Sequence, residues 1–139
     1  MLKSLRVFVG ISVAFVAIGL SGNVSHAIPD GEWSPYEHVP GLIGANVGQS
    51  ATVTSVSCAS VGNCSAGGSY GDVGGNQQAF VVSQVDGVWG SFEDVPGLVV
   101  ANTGEEASIY SVSCTSAGNC SAGGSYNDNL GFQAFVVSQ

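Results

Sequence analysis

The sequence predicts an all-β protein built from two tandem four-stranded units, each of the propeller-blade type. Three observations predict it. First, the chain of 139 residues matches itself at a period of 56. Asp30-Gly31-Glu32-Trp33 aligns with Asp86-Gly87-Val88-Trp89, and Val39-Pro40-Gly41-Leu42 with Val95-Pro96-Gly97-Leu98. Ser55-Val56-Ser57-Cys58 aligns with Ser111-Val112-Ser113-Cys114, and the run from Gly62 to Tyr70 with that from Gly118 to Tyr126. One residue is then lost in a turn, after which Gln78-Ala79-Phe80-Val81-Val82-Ser83-Gln84 meets Gln133-Ala134-Phe135-Val136-Val137-Ser138-Gln139. Similarity at a fixed period marks a repeat architecture. Second, short runs rich in Val, Thr and aromatics are separated by clusters of Gly, Asn, Asp and Ser, as in strands joined by turns. Third, beyond residue 27 no stretch carries the 3.6-residue apolar period of a helix.

The elements follow in order. Residues 1–27 read as a secretory signal peptide. Lys3 and Arg6 form the positive start, Val7 to Leu20 an apolar run of 14 residues, and Ser25-His26-Ala27 the small-residue cleavage site. The run is short for a membrane span, which takes about 20 residues. The first unit then covers residues 28–84 and the second 85–139. Thr52 to Cys58 alternates every two residues. Asn63 to Tyr70 is rich in small residues and ends on an aromatic. Gln78 to Gln84 is apolar on both faces, as a strand between two layers must be. Val88 to Val95 carries Trp89 and Phe92 and stops at a Pro-Gly turn.

Four strands at this spacing form one propeller blade. A two-sheet sandwich from a duplicated four-strand motif is the competing architecture, and the repeat favours the propeller. The set Ser-Val-Ser-Cys, Asn-Cys-Ser-Ala-Gly-Gly-Ser-Tyr and Asp-Gly-x-Trp resembles the Cys-containing propeller repeats of secreted actinobacterial proteins. That resemblance spans nearly all of the mature chain. It implies a scaffold and leaves the activity open.

Two blades cannot close a ring. The mature chain opens on Asp30-Gly31-Glu32-Trp33, the fourth strand of a unit, and closes on Phe135 to Gln139, the third. The first strand of one copy is therefore expected to complete the last blade of the next. That contact is heterologous, and it closes if the rotation allows. Two, three or four copies would give four, six or eight blades. Two-blade chains that trimerise into six-bladed lectins are a precedent by resemblance, although their sugar sites use basic side chains that are missing here. A fragment of a longer propeller protein is the alternative reading.

Charge narrows the function. Lys3 and Arg6 are the only Lys and Arg, and all ten Asp and Glu come later. Removing those two cations from a formal charge of −8 leaves about −10 on the mature chain. Nucleic acid is excluded as a partner, because nothing could displace counterions from phosphate. An anionic membrane would repel the protein. No Lys can form a Schiff base and no Arg can clamp a carboxylate.

The four Cys follow a Cys-x5-Cys spacing twice, in a chain bound for an oxidising compartment. The spacing favours disulfides Cys58–Cys64 and Cys114–Cys120, each clipping a hairpin. A four-Cys zinc site lacks the Cys-x2-Cys spacing it would need. Asn63-Cys64-Ser65 and Asn119-Cys120-Ser121 match the glycosylation sequon, but an Asn beside a turn accounts for both. The one mature His, His38, aligns with Asp94 and reads as a solvated surface residue. Asp72 and Asp128 recur in Gly- and Asn-containing turns, where calcium is conceivable but turn chemistry suffices. No other cofactor is expected. Trp33, Trp89, Tyr70 and Tyr126 are the repeated aromatics and the candidate ligand-binding residues, with the Tyr pair expected to be the more exposed. Packing between blades is the competing role for the Trp pair.

These features point to a secreted, non-enzymatic binding or scaffold protein for carbohydrate or another extracellular surface. The competing readings are a secreted hydrolase or lyase using acidic residues, and a truncated product. Adjacent Glu93 and Asp94 would face opposite sides of a strand and not cooperate.

Overall fold

The computed structural model describes residues 31–139. The expected signal peptide, and Ile28 to Asp30 after it, lie outside them. The order is α1 (Leu42–Ala45), β1 (Thr52–Ser60), β2 (Asn63–Gly71), β3 (Gln77–Val85), β4 (Val88–Trp89), β5 (Glu93–Asp94), α2 (Leu98–Ala101), β6 (Ala107–Ser116), β7 (Asn119–Asn127) and β8 (Phe132–Ser138). The fold is mostly β, in two antiparallel sheets whose strands run in chain order. The first has five strands, β1-β2-β3 with both β4 and β5 on the outer edge of β3. The second has three, β6-β7-β8.

Local chemistry explains the turns. Asp86 and Gly87 both adopt positive φ, 49° and 84°, in the two-residue connection from β3 to β4. That is the type I′ geometry matching the twist of paired strands, and it accounts for the Asp-Gly of the repeated Asp-Gly-x-Trp motif. Asp72 organises the β2–β3 turn. Its Oδ1 accepts from the Gly74 and Asn76 amides at 2.8 and 2.9 Å, and its Oδ2 from Gln78 Nε2 at 3.0 Å.

The sequence reading needs three corrections. The expected strand Val88 to Val95 is two short pieces, broken at Gly90-Ser91-Phe92, because Phe92 turns inward to pack on Tyr70 and Phe80. The fourth strand expected at Asp30 to Trp33 is not formed in its described part, since Gly31 to Trp33 belong to no strand, whereas the second sheet stops at its third strand as expected. Two single-turn helices, α1 and α2, follow the Pro-Gly turns, each started by a Gly with left-handed φ. One turn of helix is too short to leave a periodic signal.

The sheets pack face to face, with β6 lying across β1, β2 and β3. Gly67 makes the close approach possible, since a Cβ there would lie 2.8 Å from Ile109 Cγ2. Ala79, Val95, Leu98, Ala107, Ile109, Val112 and Ala122 form the core between the sheets. Polar atoms stitch the same seam. Val112 and Cys114 amides donate to Ser55 and Ser57 Oγ, each at 3.0 Å, and Thr54 Oγ1 donates to the Ile109 carbonyl. Asn102 Nδ2 donates to the Gln77 carbonyl at 2.9 Å. A second cluster, Leu42, Ala66, Tyr70, Phe80 and Val82, lies on the far face of the first sheet beneath α1. Helix α2 holds the corresponding place on the second sheet, so each helix covers the same face of its own unit.

Candidate functional site

Beyond β6 the sheets part. A cleft of about 370 Å³ opens between β3 with its β4–β5 edge and the β7–β8 pair. Strand alternation decides its lining. Ser65 and Ser83 are cross-strand partners and project, with Gly67 and Val81, on the side of the first sheet that faces the second. Val81, Val112, Ala122 and Val137 supply the apolar part, and Glu93 the carboxylate at the rim.

The polar groups form a chain. Ser65 and Ser83 hydroxyls lie 3.1 Å apart. Gln139 Nε2 donates to Ser83 Oγ at 3.2 Å, and Ser65 Oγ donates to Cys120 Sγ at 3.2 Å. These are hydroxyls and an amide bonded to one another, with no imidazole beside them. His38 lies elsewhere, exposed, with its ring 5.4 Å from that of Tyr36. Glu93 and Asp94 face opposite sides of the first sheet, since they pair with Val81 and Phe80 in turn. Asp94 Oδ1 accepts from the Tyr70 hydroxyl at 2.7 Å. Burial pushes the Tyr70 hydroxyl well above the ordinary phenol value, and the hydrogen bond to Asp94 and the charges of Asp94 and Asp72 push it further. Such a cleft can hold a neutral molecule by exchanging hydroxyl hydrogen bonds over an apolar wall. It contains no nucleophile paired with a base.

The four aromatics are scattered. Trp33 is 98% exposed, whereas Trp89 is half-buried against the cluster under α1. The expected exposure of the Tyr pair is corrected. Tyr70 is buried, and Tyr126 is half-buried against the inter-sheet core. Each Tyr ends a central strand and points at the apolar face that its unit's helix covers. None of the four lines the cleft. Of the residues that do, Glu93 enters the sequence reading only as a carboxylate of the hydrolase or lyase, and Ser65, Ser83 and Gln139 are missed. The only signal of the serines is a two-residue alternation, which in a turn-rich chain looks like spacing.

Both expected disulfides are present. Cys58–Cys64 and Cys114–Cys120 join directly opposed residues of β1–β2 and β6–β7, with Cα atoms 3.9 and 4.0 Å apart. Intramolecular disulfides of this kind are typical of extracellular proteins. Among the described residues no helix is long and apolar enough to cross a membrane. Asn63 Nδ2 donates to Ser60 Oγ and the Val61 carbonyl, a turn role that Asn119 repeats. For calcium, the Asp72 oxygens are taken up by turn donors, and Asp128 Oδ1 accepts from the Leu130 amide at 2.9 Å. Among the described residues no three His, Cys, Asp or Glu side chains converge.

No family model matches this sequence, and no curated protein or solved structure shows significant similarity to it.

Proposed function

We propose that the protein is a secreted, non-enzymatic binding scaffold of propeller-type blades whose inter-sheet cleft takes a neutral, hydroxyl-rich ligand such as a glycan. The observation that carries the reading is the lining of the cleft. Serine hydroxyls and the Gln139 amide lie over an apolar wall, and no cationic group is near. A glycan presents the same combination, hydroxyl edges and apolar ring faces. Two features support the blade reading. Strands run in chain order from β1 in the first sheet and from β6 in the second, and successive sheets stack face to face with the sequence period.

The test is a glycan array followed by titration calorimetry on the oxidised chain, with chromatography of the incubated ligand. Binding without product, weakened by Ser83→Val, is the expected result. Product formation that Glu93→Gln abolishes would overturn the reading in favour of a hydrolase or lyase.

A further inference from the structure

We propose that the chain binds a second copy of itself head to tail, residues 33–38 of one copy adding a strand to the open edge of β8 in the next. The contact needs no ligand, and it adjoins the cleft, since Val137 borders both and Gln139 would face Trp33. The structure contains its own template. In the first sheet, β5 pairs with β3 so that Glu93 faces Val81 and Asp94 faces Phe80, while Gln84 faces Trp89. Phe92 then packs over the sheet, its ring 5.4 Å from that of Tyr70 and so placed that a Cβ on Gly41 would meet it at 3.4 Å.

The second sheet repeats every part of this receptor, and among the described residues no strand pairs with the outer edge of β8. Gly97, Leu98, Tyr126 and Phe135 stand where Gly41, Leu42, Tyr70 and Phe80 stand in the first. There they line an open groove of about 270 Å³. A Cβ on Gly97 would meet nothing within 4 Å, where the one on Gly41 meets Phe92. The missing piece is present at the other end of the molecule. Trp33, Tyr36, Glu37 and His38 correspond through the repeat to Trp89, Phe92, Glu93 and Asp94. They belong to no strand, and Trp33 and Tyr36 are 98% and 86% exposed. Carrying the register over places Glu37 opposite Val136, His38 opposite Phe135, and Trp33 opposite Gln139. Tyr36 fills the groove.

The faces behind the strand agree. Val136 is 87% exposed and Ala134 is exposed, although their counterparts Val81 and Ala79 are covered by the second sheet. Val53 and Val56 are exposed, although their counterparts Ile109 and Val112 are buried against the first. The two halves of the internal seam are thus displayed at opposite ends of the molecule. Stacking Val53 over Gly123 would reproduce the contact of Ile109 with Gly67. One chain cannot satisfy this itself. Val39 is anchored on the far face of the first sheet. The three residues from Val39 to Tyr36 reach about 10 Å, roughly one sheet spacing, with the first sheet in the way. Strand addition to an exposed edge is an established mode of association, and an interface joining unlike surfaces propagates into a ring or a filament.

The experiment is light scattering on the oxidised chain from Ile28 onward, which holds every described element. Integer multiples of the chain mass are expected. Tyr36→Ala should reduce them to monomer with the β circular-dichroism signal intact, and Tyr36→Phe, which restores the ring found at Phe92, should keep them. The pair Glu37→Cys with Val136→Cys should cross-link between chains on non-reducing gels. A stable wild-type monomer at 100-fold the working concentration, or a cross-link formed within one chain, would overturn the proposal.

Discussion

Tyr70 shows how one buried hydroxyl ties two turns of the first unit together. Its ring packs among Phe80 and Phe92, and its hydroxyl reaches out to Asp94 on β5. Because folding raises its pKa, the folded state holds the phenolic proton more tightly than the unfolded chain does. That contribution is complete below about pH 10 and is lost as pH rises toward the folded value. Tyr70→Phe should therefore cost about 1 kcal/mol at neutral pH for the lost hydrogen bond. It should also flatten the decline in stability above about pH 10, measured by urea midpoints across alkaline buffers. Asp72 works in the opposite sense. Burial raises its pKa, but the hydrogen bonds from Gln78, Asn76 and Gly74 together outweigh burial and leave it lowered. Its contribution is present above the unfolded value, about pH 4, and fades as pH falls below it. Asp72→Asn should reduce the acid sensitivity seen in the same titration.

At the scale of elements, close approach and covalent clips do most of the positioning. Strand β2 needs Gly67 at its centre because β6 crosses it there, and Gly68 because the Thr52 carbonyl of β1 comes close. Gly67→Ala would drive a methyl into Ile109 and should cost about 1 to 3 kcal/mol by overpacking. Its repeat partner Gly123 has nothing nearer than the Phe135 carbonyl at 3.6 Å, so Gly123→Ala should be far milder in a monomer. Denaturant unfolding of the two variants checks the contrast. The disulfides close loops of equal length and should each contribute about 2 kcal/mol through the unfolded state. Cys120 is buried and accepts from Ser65, and Cys114 packs against the inter-sheet core. Removal of Cys114–Cys120 should therefore lower the urea midpoint more than removal of Cys58–Cys64.

The whole molecule is a strongly acidic pair of sheets with unlike ends. Copies of residues 28–139, carrying about −10 each, repel one another, and the repulsion is screened over about 10 Å at 0.1 M salt but about 30 Å at 0.01 M. Head-to-tail association should accordingly weaken toward 0.01 M salt and recover near 0.15 M, read as scattering mass against ionic strength. A contact held by salt bridges would show the opposite trend. With no Lys or Arg in the described residues, the contact rests on backbone pairing and apolar surface.

Much of this was legible from residue order. The period of 56 set the number of units, two-residue alternation set β1, a small-residue run ending on an aromatic set β2, a run apolar on both faces set β3, and Cys-x5-Cys set both disulfides. Those properties depend on neighbours within one unit, which the sequence spells out. Tertiary structure alone decided which face of each strand meets the other sheet. That choice buried Tyr70, left Trp33 in solvent, broke the fourth strand at Phe92 and lined the cleft with Ser65 and Ser83. The cleft turns on how closely two sheets can approach, which side-chain volume at Gly67 and Ile109, residues 42 positions apart, sets. Tyr70 and Phe92 are placed instead by packing on the far face under α1, between elements that residue order alone does not bring together.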